Sequence, residues 1–244
     1  MSLLACASVA LLASASPARA AEQSHWGYVL QATSARTAPN GTARAVAQIA
    51  TATPLGNPNI VLVLGVHRDK RGRAWVRVRL PILPNGSTGW IRRNTIDALH
   101  VARTHLVVDL AQLQATLYRD NREIFSAPIG AGQGRWPTPA GEFYVRERTR
   151  GFGNPFYGPV AFGLNARSRV LTDWPGGGFI GIHGTNAPEL VPGRISHGCI
   201  RMRNDAILRL ATLMPLGTPV TIRSGIGPSP ACMGAAGGRA RAGS

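Results

Sequence analysis

Lysine is all but missing from this chain. Of its 27 basic residues only Lys70 is a lysine, and with 11 acidic residues the formal charge reaches +16. Cysteine is nearly as scarce: Cys6, Cys199 and Cys232 are the three, too few and too scattered to form a disulfide framework. Aromatic residues make up 6% of the chain and are not interleaved with basic runs. That excludes the stacking-plus-phosphate pattern by which a cationic protein reads nucleic acid. No apolar run approaches the ~20 residues that cross a bilayer. No Cys-x-x-Cys or His-x-x-x-His pair is present, so a zinc site drawn from His183, His197 and Cys199 lacks a fourth ligand. With nucleic acid set aside, the charge fits an anionic partner such as acidic phospholipid or an anionic wall polymer.

The 244 residues suffice for one large or two modest domains. Residues 3–15 are apolar, and Ala18-Arg19-Ala20 follows as a small-residue cleavage site. This is the layout of a secretory signal over residues 1–20, although the usual positive start is missing. Residues 225–244 are rich in Gly, Pro and Ala without apolar periodicity, the composition of a disordered tail. With the leader removed, only Cys199 and an incidental Cys232 remain.

Ser196-His197-Gly198-Cys199-Ile200-Arg201 is where chemistry concentrates, with Ile182-His183-Gly184-Thr185 upstream supplying a second histidine. A thiol becomes a strong nucleophile when an imidazole takes its proton. Gly198 leaves room for a carbonyl to approach, and the amides of Gly198 and Cys199 are placed to hold an oxyanion. These residues predict acyl transfer through a cysteine thioester. Which histidine is the base is not decided by spacing.

The same segments, Ile182 to Asn186 and Ser196 to Met202, resemble the signature of the L,D-transpeptidase (YkuD-type) catalytic domain. Trp136-Pro137-Thr138-Pro139-Ala140-Gly141-Glu142-Phe143 resembles that family's TPxGxF segment, and Asn154 to Pro159 and Leu171-Thr172-Asp173 agree. The resemblance covers residues 103–224. It implies a periplasmic or cell-wall enzyme acting on peptidoglycan stem peptides without a cofactor or metal. Carried onto this chain, Cys199 is the nucleophile, His183 the general base, and the Gly184 carbonyl orients the imidazole. Gly198 serves the oxyanion, while Ser196, His197 and Arg201 shape the site and meet substrate. An L,D-carboxypeptidase would use the same residues with water as acceptor; a non-catalytic wall-binding protein would need a defective site.

The pattern predicts a mainly β protein. Residues 24–97 read as short strands broken by turns, with Trp75-Val76-Arg77-Val78 and a closing Gly89-Trp90-Ile91, and resemble a bacterial SH3-like small barrel. Arg68, Arg71, Arg73, Arg77 and Arg79 give it a basic face. Asp97–Ala102 reads as a connector. A β-sandwich-like catalytic domain with one or two short helices follows. In it Gly130-Ala131-Gly132-Gln133-Gly134 reads as a turn, residues 150–163 as an aromatic lid or plain loop, and Asp205–Met214 as a helix capped by Asp205.

Overall fold

A computed structural model describes residues 23–171 and 177–225. The leader, the Thr172-Asp173 pair, Cys232 and the tail beyond Gly225 lie outside the described residues. The described chain forms two sheets. The first holds β1 (Ser24–Tyr28), β2 (Thr33–Arg36), β3 (Ala45–Ile49), β4 (Ile60–Arg68), β5 (Ala74–Arg79), β6 (Thr88–Arg92) and β7 (His100–Ala102) in the order β3-β2-β6-β5-β4-β1-β7. Alternation in β5 sends Val76 and Val78 into a core with Val61, Leu80 and Ile91. Trp75 is also buried, although it shares a face with exposed Arg77; its indole Nε1 donates to Asp69 at 3.2 Å.

The second sheet contains β8 (Thr104–Asp109), β9 (Gln114–Arg119), β10 (Arg122–Pro128), β11 (Gly130–Gly132), β12 (Gly141–Arg150), β13 (Val160–Arg167), β14 (Phe179–His183), β15 (Gly193–Ser196), β16 (Ile200–Arg201) and β17 (Pro219–Arg223). Their order is β10-β9-β8-β17-β12-β13-β14-β16-β11-β15. Side chains from both ends of that order, Phe125 and Leu117 with Phe162, Ile182 and Ile200, meet in one core, so the sheet curls around its own apolar face. The single α-helix among the described residues, α1 (Asn204–Leu213), adds Ile207 and Leu210 to this core beside Ile200 and Met202.

Three expectations need correction. Asp97–Ala102 is not merely a connector, because β7 pairs with β1 and belongs to the first sheet. Only Arg103 separates β7 from β8. Gly130–Gly132 is a strand hydrogen-bonded to both β15 and β16; the turn follows at Gln133–Trp136, closed by the Trp136 amide on the Gln133 carbonyl at 2.9 Å. The helix starts at Asn204, and its N-cap is Arg203 with no side-chain cap bond, so Asp205 lies in the first turn. There its charge still suits the positive end of the helix dipole.

The sheets share an extensive seam. Tyr144, fully buried, packs with Trp26, Ile60, Leu62 and Ala102, and its hydroxyl donates to the Ile60 carbonyl at 3.1 Å. Arg146 Nε donates to Asn59 Oδ1 at 2.8 Å. Asn85 and Arg167 exchange two bonds, from Asn85 Nδ2 to the Arg167 carbonyl at 2.8 Å and from the Arg167 amide to Asn85 Oδ1 at 2.9 Å. At Gly217, with φ of +74°, a Cβ would lie 2.0 Å from the Trp26 ring, so the seam there admits only glycine.

Candidate active site

Register builds the site. β14 and β16 run parallel, with Ile182 opposite Ile200 and His183 opposite Arg201. Period-two alternation then puts Ile182 and Ile200 on one face, fully buried in the core, and sends Gly181, His183, Cys199 and Arg201 to the other. Cys199 falls beside Gly181, whose amide donates to its Sγ at 3.4 Å. The sequence Gly-Ile-His set against Cys-Ile-Arg thus carries a thiol, an imidazole and a guanidinium to one face of two adjacent strands.

His183 is buried, and its Nδ1 lies 2.7 Å from the Gly184 carbonyl. A carbonyl only accepts, so Nδ1 carries the hydrogen and Nε2 presents a lone pair. Burial pushes the His183 pKa down to about 4, helped by the Arg201 charge and opposed by the Gly184 bond. Cys199 is a free, half-buried thiol. Burial pushes its pKa up, while the Gly181 amide and Arg201 pull the other way. Burial therefore favours a neutral imidazole and a protonated thiol over a preformed ion pair.

The turn carrying Cys199 is braced from within. Ser196 Oγ donates to the Cys199 carbonyl and accepts the Gly198 amide at 3.1 Å. That directs the Gly198 N–H into the turn, so of the two amides expected at an oxyanion only that of Cys199 is not committed to this brace. The Ser196 hydroxyl, likewise engaged on both sides, shapes the turn. Thr138, which no chemical argument from sequence had singled out, ties the Thr-Pro segment to the same turn: its Oγ1 donates to the Gly198 carbonyl and accepts the Gly132 amide, both at 2.9 Å. Asn204 does similar work beneath His183, its Oδ1 accepting the Thr185 amide at 2.9 Å. A Cβ at Gly184 would lie 2.3 Å from that oxygen, so the close fit requires glycine.

His197 packs against Trp136 with ring centroids 4.0 Å apart and planes tilted by 38°, and the Arg135 guanidinium covers the indole at 3.7 Å. Arg201 is 7% exposed, lies 4.3 Å over the Phe156 ring, and its Nε has no hydrogen-bond partner among the described residues. The segment between β12 and β13 folds over the histidine, with the Tyr157 ring 5.0 Å and the Phe156 ring 6.1 Å from the imidazole. The loop is shorter than the expected 150–163, because β12 runs to Arg150 and β13 begins at Val160. Its neck is pinched shut by the Gly151 amide on the Pro159 carbonyl at 3.0 Å.

Two cavities meet at the Cys199–His183 pair. The smaller, with room for about 30 Å³, is lined by Phe156, Ser168, Ser196, His197 and Arg201. The larger, about 340 Å³, is lined by Glu147, Phe152, Phe162, Gly163 and, from the first sheet, Pro54 and Leu55. Both also touch Tyr157, Phe179 and Ile180. Sequence reasoning missed the second cavity and Glu147; the one available hint was a lone carboxylate in Arg146-Glu147-Arg148 within a chain so short of acids. Among the described residues no group of three or more His, Cys, Asp or Glu side chains is arranged to hold a metal ion.

Comparison with known proteins gives a family to this curled sheet with a thiol and an imidazole on one face. The pattern of the YkuD family, the L,D-transpeptidase catalytic domain, matches residues 103–222, and the chain belongs to the L,D-transpeptidase family. It is 37% identical over 118 residues to YkuD of Bacillus subtilis, which bears an L,D-transpeptidase name; the match covers 48% of this chain and 65% of that protein. YqjB of Bacillus subtilis, similarly named, is 31% identical over 126 residues, covering 48% of this chain and 70% of the relative. Among solved structures, the catalytic domain of an Enterococcus faecium L,D-transpeptidase is 28% identical, covering 49% of this chain and 96% of that one, with a TM-score of 0.38. No helix among the described residues is long and apolar enough to cross a membrane.

Proposed function

We propose that this protein is a peptidoglycan L,D-transpeptidase that joins stem peptides through a thioester on Cys199. The observation that carries the reading is the in-register pairing of β14 with β16, which sets an imidazole with a free Nε2 on the same face as a half-buried thiol. His183 Nε2 takes the thiol proton as sulfur attacks the donor-peptide carbonyl, and the Cys199 amide supports the developing oxyanion. Collapse breaks the amide bond; the leaving D-alanine nitrogen receives the proton from His183, and a thioester remains. An acceptor amine then adds to the thioester, giving one proton to His183, and the sulfur departs and is reprotonated. General acid–base participation of this kind contributes about 10²–10⁴-fold. Forming the charged pair only as reaction proceeds suits a site where burial holds both partners neutral at rest.

Arg201, buried without a carboxylate partner among the described residues, is the group for a substrate carboxylate. The domain reading pairs an SH3-like unit at 24–97, resting on the Trp75–Val78 and Gly89–Ile91 strands, with a catalytic unit at 103–224. A leader over residues 1–20 would deliver both to the periplasm or cell wall, and the basic face would meet anionic wall polymer. The test is mass spectrometry of muropeptides and of intact protein. Wild type should yield cross-linked dimers and, with a carbapenem, one adduct on the Ser196–Arg201 peptide. Cys199→Ala should stay folded and give neither. Hydrolysed stems without dimers would make it an L,D-carboxypeptidase, and activity retained in Cys199→Ala would overturn the thioester.

A further inference from the structure

Glu147 is buried to 7% exposure in a protein crowded with arginine, yet among the described residues no cation pairs with it. Buried carboxylates are ordinarily matched by a positive group. One oxygen, Oε2, accepts from Thr53 Oγ1 at 2.6 Å and from Asn57 Nδ2 at 2.7 Å. Both donors come from the segment between β3 and β4 of the first sheet, so the carboxylate is gripped across the seam. The other oxygen, Oε1, accepts no hydrogen bond from the described residues and lies against Gly163, where a Cβ would come within 2.8 Å of it. Glu147 and Gly163 both line the 340 Å³ cavity that reaches Cys199 and His183, and Pro54 and Leu55, from the segment that supplies the two donors, form its outer wall.

We propose that this cavity is an ammonium-recognition subsite, in which Glu147, held by Thr53 and Asn57, binds the positively charged amine of a peptide substrate. The first sheet then completes the substrate cleft, because without its β3–β4 segment the carboxylate loses both donors and the cavity loses a wall. The neighbouring surfaces fit such a ligand. Phe152, Phe162 and Leu55 offer apolar lining to the methylenes of a long aminoalkyl chain. Glycine at 163 keeps the approach to Oε1 open. The inference rests on the transpeptidase reading for the identity of its ligand, since an acyl acceptor in that reaction carries a primary amine.

Binding can be separated from chemistry by working in Cys199→Ala protein, which cannot form a thioester. The probe is Nα-acetyl-lysine methylamide, which bears one ammonium and no carboxylate, compared with its uncharged norleucine counterpart. Calorimetric or NMR titration of the full chain should show the lysine probe binding more tightly, with the preference shrinking as salt is added. Glu147→Gln keeps the side-chain shape and should weaken the lysine probe roughly ten-fold or more, to the level of norleucine. Asn57→Ala leaves the carboxylate but loosens its grip, and should cost a smaller factor. Equal binding of the two probes, or unchanged lysine affinity in Glu147→Gln protein with an unaltered melting temperature, overturns the subsite. Failure of wild type to make dimers or adducts would instead overturn the proposed reaction, and leaves these titrations readable.

Discussion

The two flanks of Cys199 are built on opposite plans. On one, Arg201 stands two residues further along the chain, in β16, cationic, tightly enclosed, and organised by local turns. On the other, Glu147 comes from a different part of the second sheet, and its partners Thr53 and Asn57 lie 94 and 90 residues away. The first flank is narrow and positive; the second is roomy, apolar and negative. A site of this polarity matches a ligand with a carboxylate toward one end and an ammonium toward the other. Each buried charge costs stability until a ligand's opposite charge reaches it, so both flanks favour the bound state.

The contrast is open to disruption, most severely at its midpoint. His183→Gln should lower carbapenem acylation by about 10²–10⁴-fold, followed by intact-mass time courses, while Cys199 still reacts with small alkylating agents. Arg201→Met should reduce kcat/KM for a carboxylate-bearing donor by roughly 10–100-fold, the size expected for a lost charge-assisted bond. It should leave the affinity of the lysine probe unchanged; a matching loss of that affinity would mean the flanks are not independent.

Acid provides a gentler perturbation. His183 titrates from the ordinary 6.5 in the unfolded chain to about 4 when folded, so between those values the unfolded state holds more protons. Stability should therefore fall as pH drops from 6.5 toward 4, by about 3 kcal/mol from this group, and not further below. Urea unfolding at neutral pH and near pH 4 should show a smaller acid loss in His183→Gln than in wild type. The smallest effect is expected on the outer surface. Arg68, Arg71 and Arg77 are exposed, whereas Arg73 pairs with Asp69 at 2.7 Å and Arg79 is partly buried. Changing the three exposed arginines to Gln should weaken binding to intact sacculi a few-fold at low salt and negligibly at high salt. Turnover of a small soluble muropeptide should not move.

What could be read ahead of the structure follows the same division. Cys199, His183, Gly184 and Arg201 were legible because each lies in a short contiguous motif whose alternation also fixes which way it faces. The strands 106–110, 115–118 and 180–183 were legible as runs of β-branched and apolar residues. Gly130–Gly132 was not, since glycine carries no strand propensity; it ends in glycine because a Cβ at Gly132 would lie 2.2 Å from the Trp136 carbonyl oxygen. Strand β7 is three residues long, too short for any period to show. The direction of the Gly198 amide depends on a hydroxyl two residues back, and Glu147 depends on partners in another sheet. Pairings at that separation leave no local pattern to find.

The join at Arg103 has a consequence of its own. Modular enzymes often carry a binding unit on a slack tether, which raises the local concentration of a captured polymer over the volume the tether sweeps. Here one residue links the last strand of the first sheet to the first strand of the second, and Tyr144, Trp26 and Gly217 lock the faces together. The swept volume is close to nil. Anything held on the first sheet would meet Cys199 at one distance and one angle, so reach is exchanged for aim.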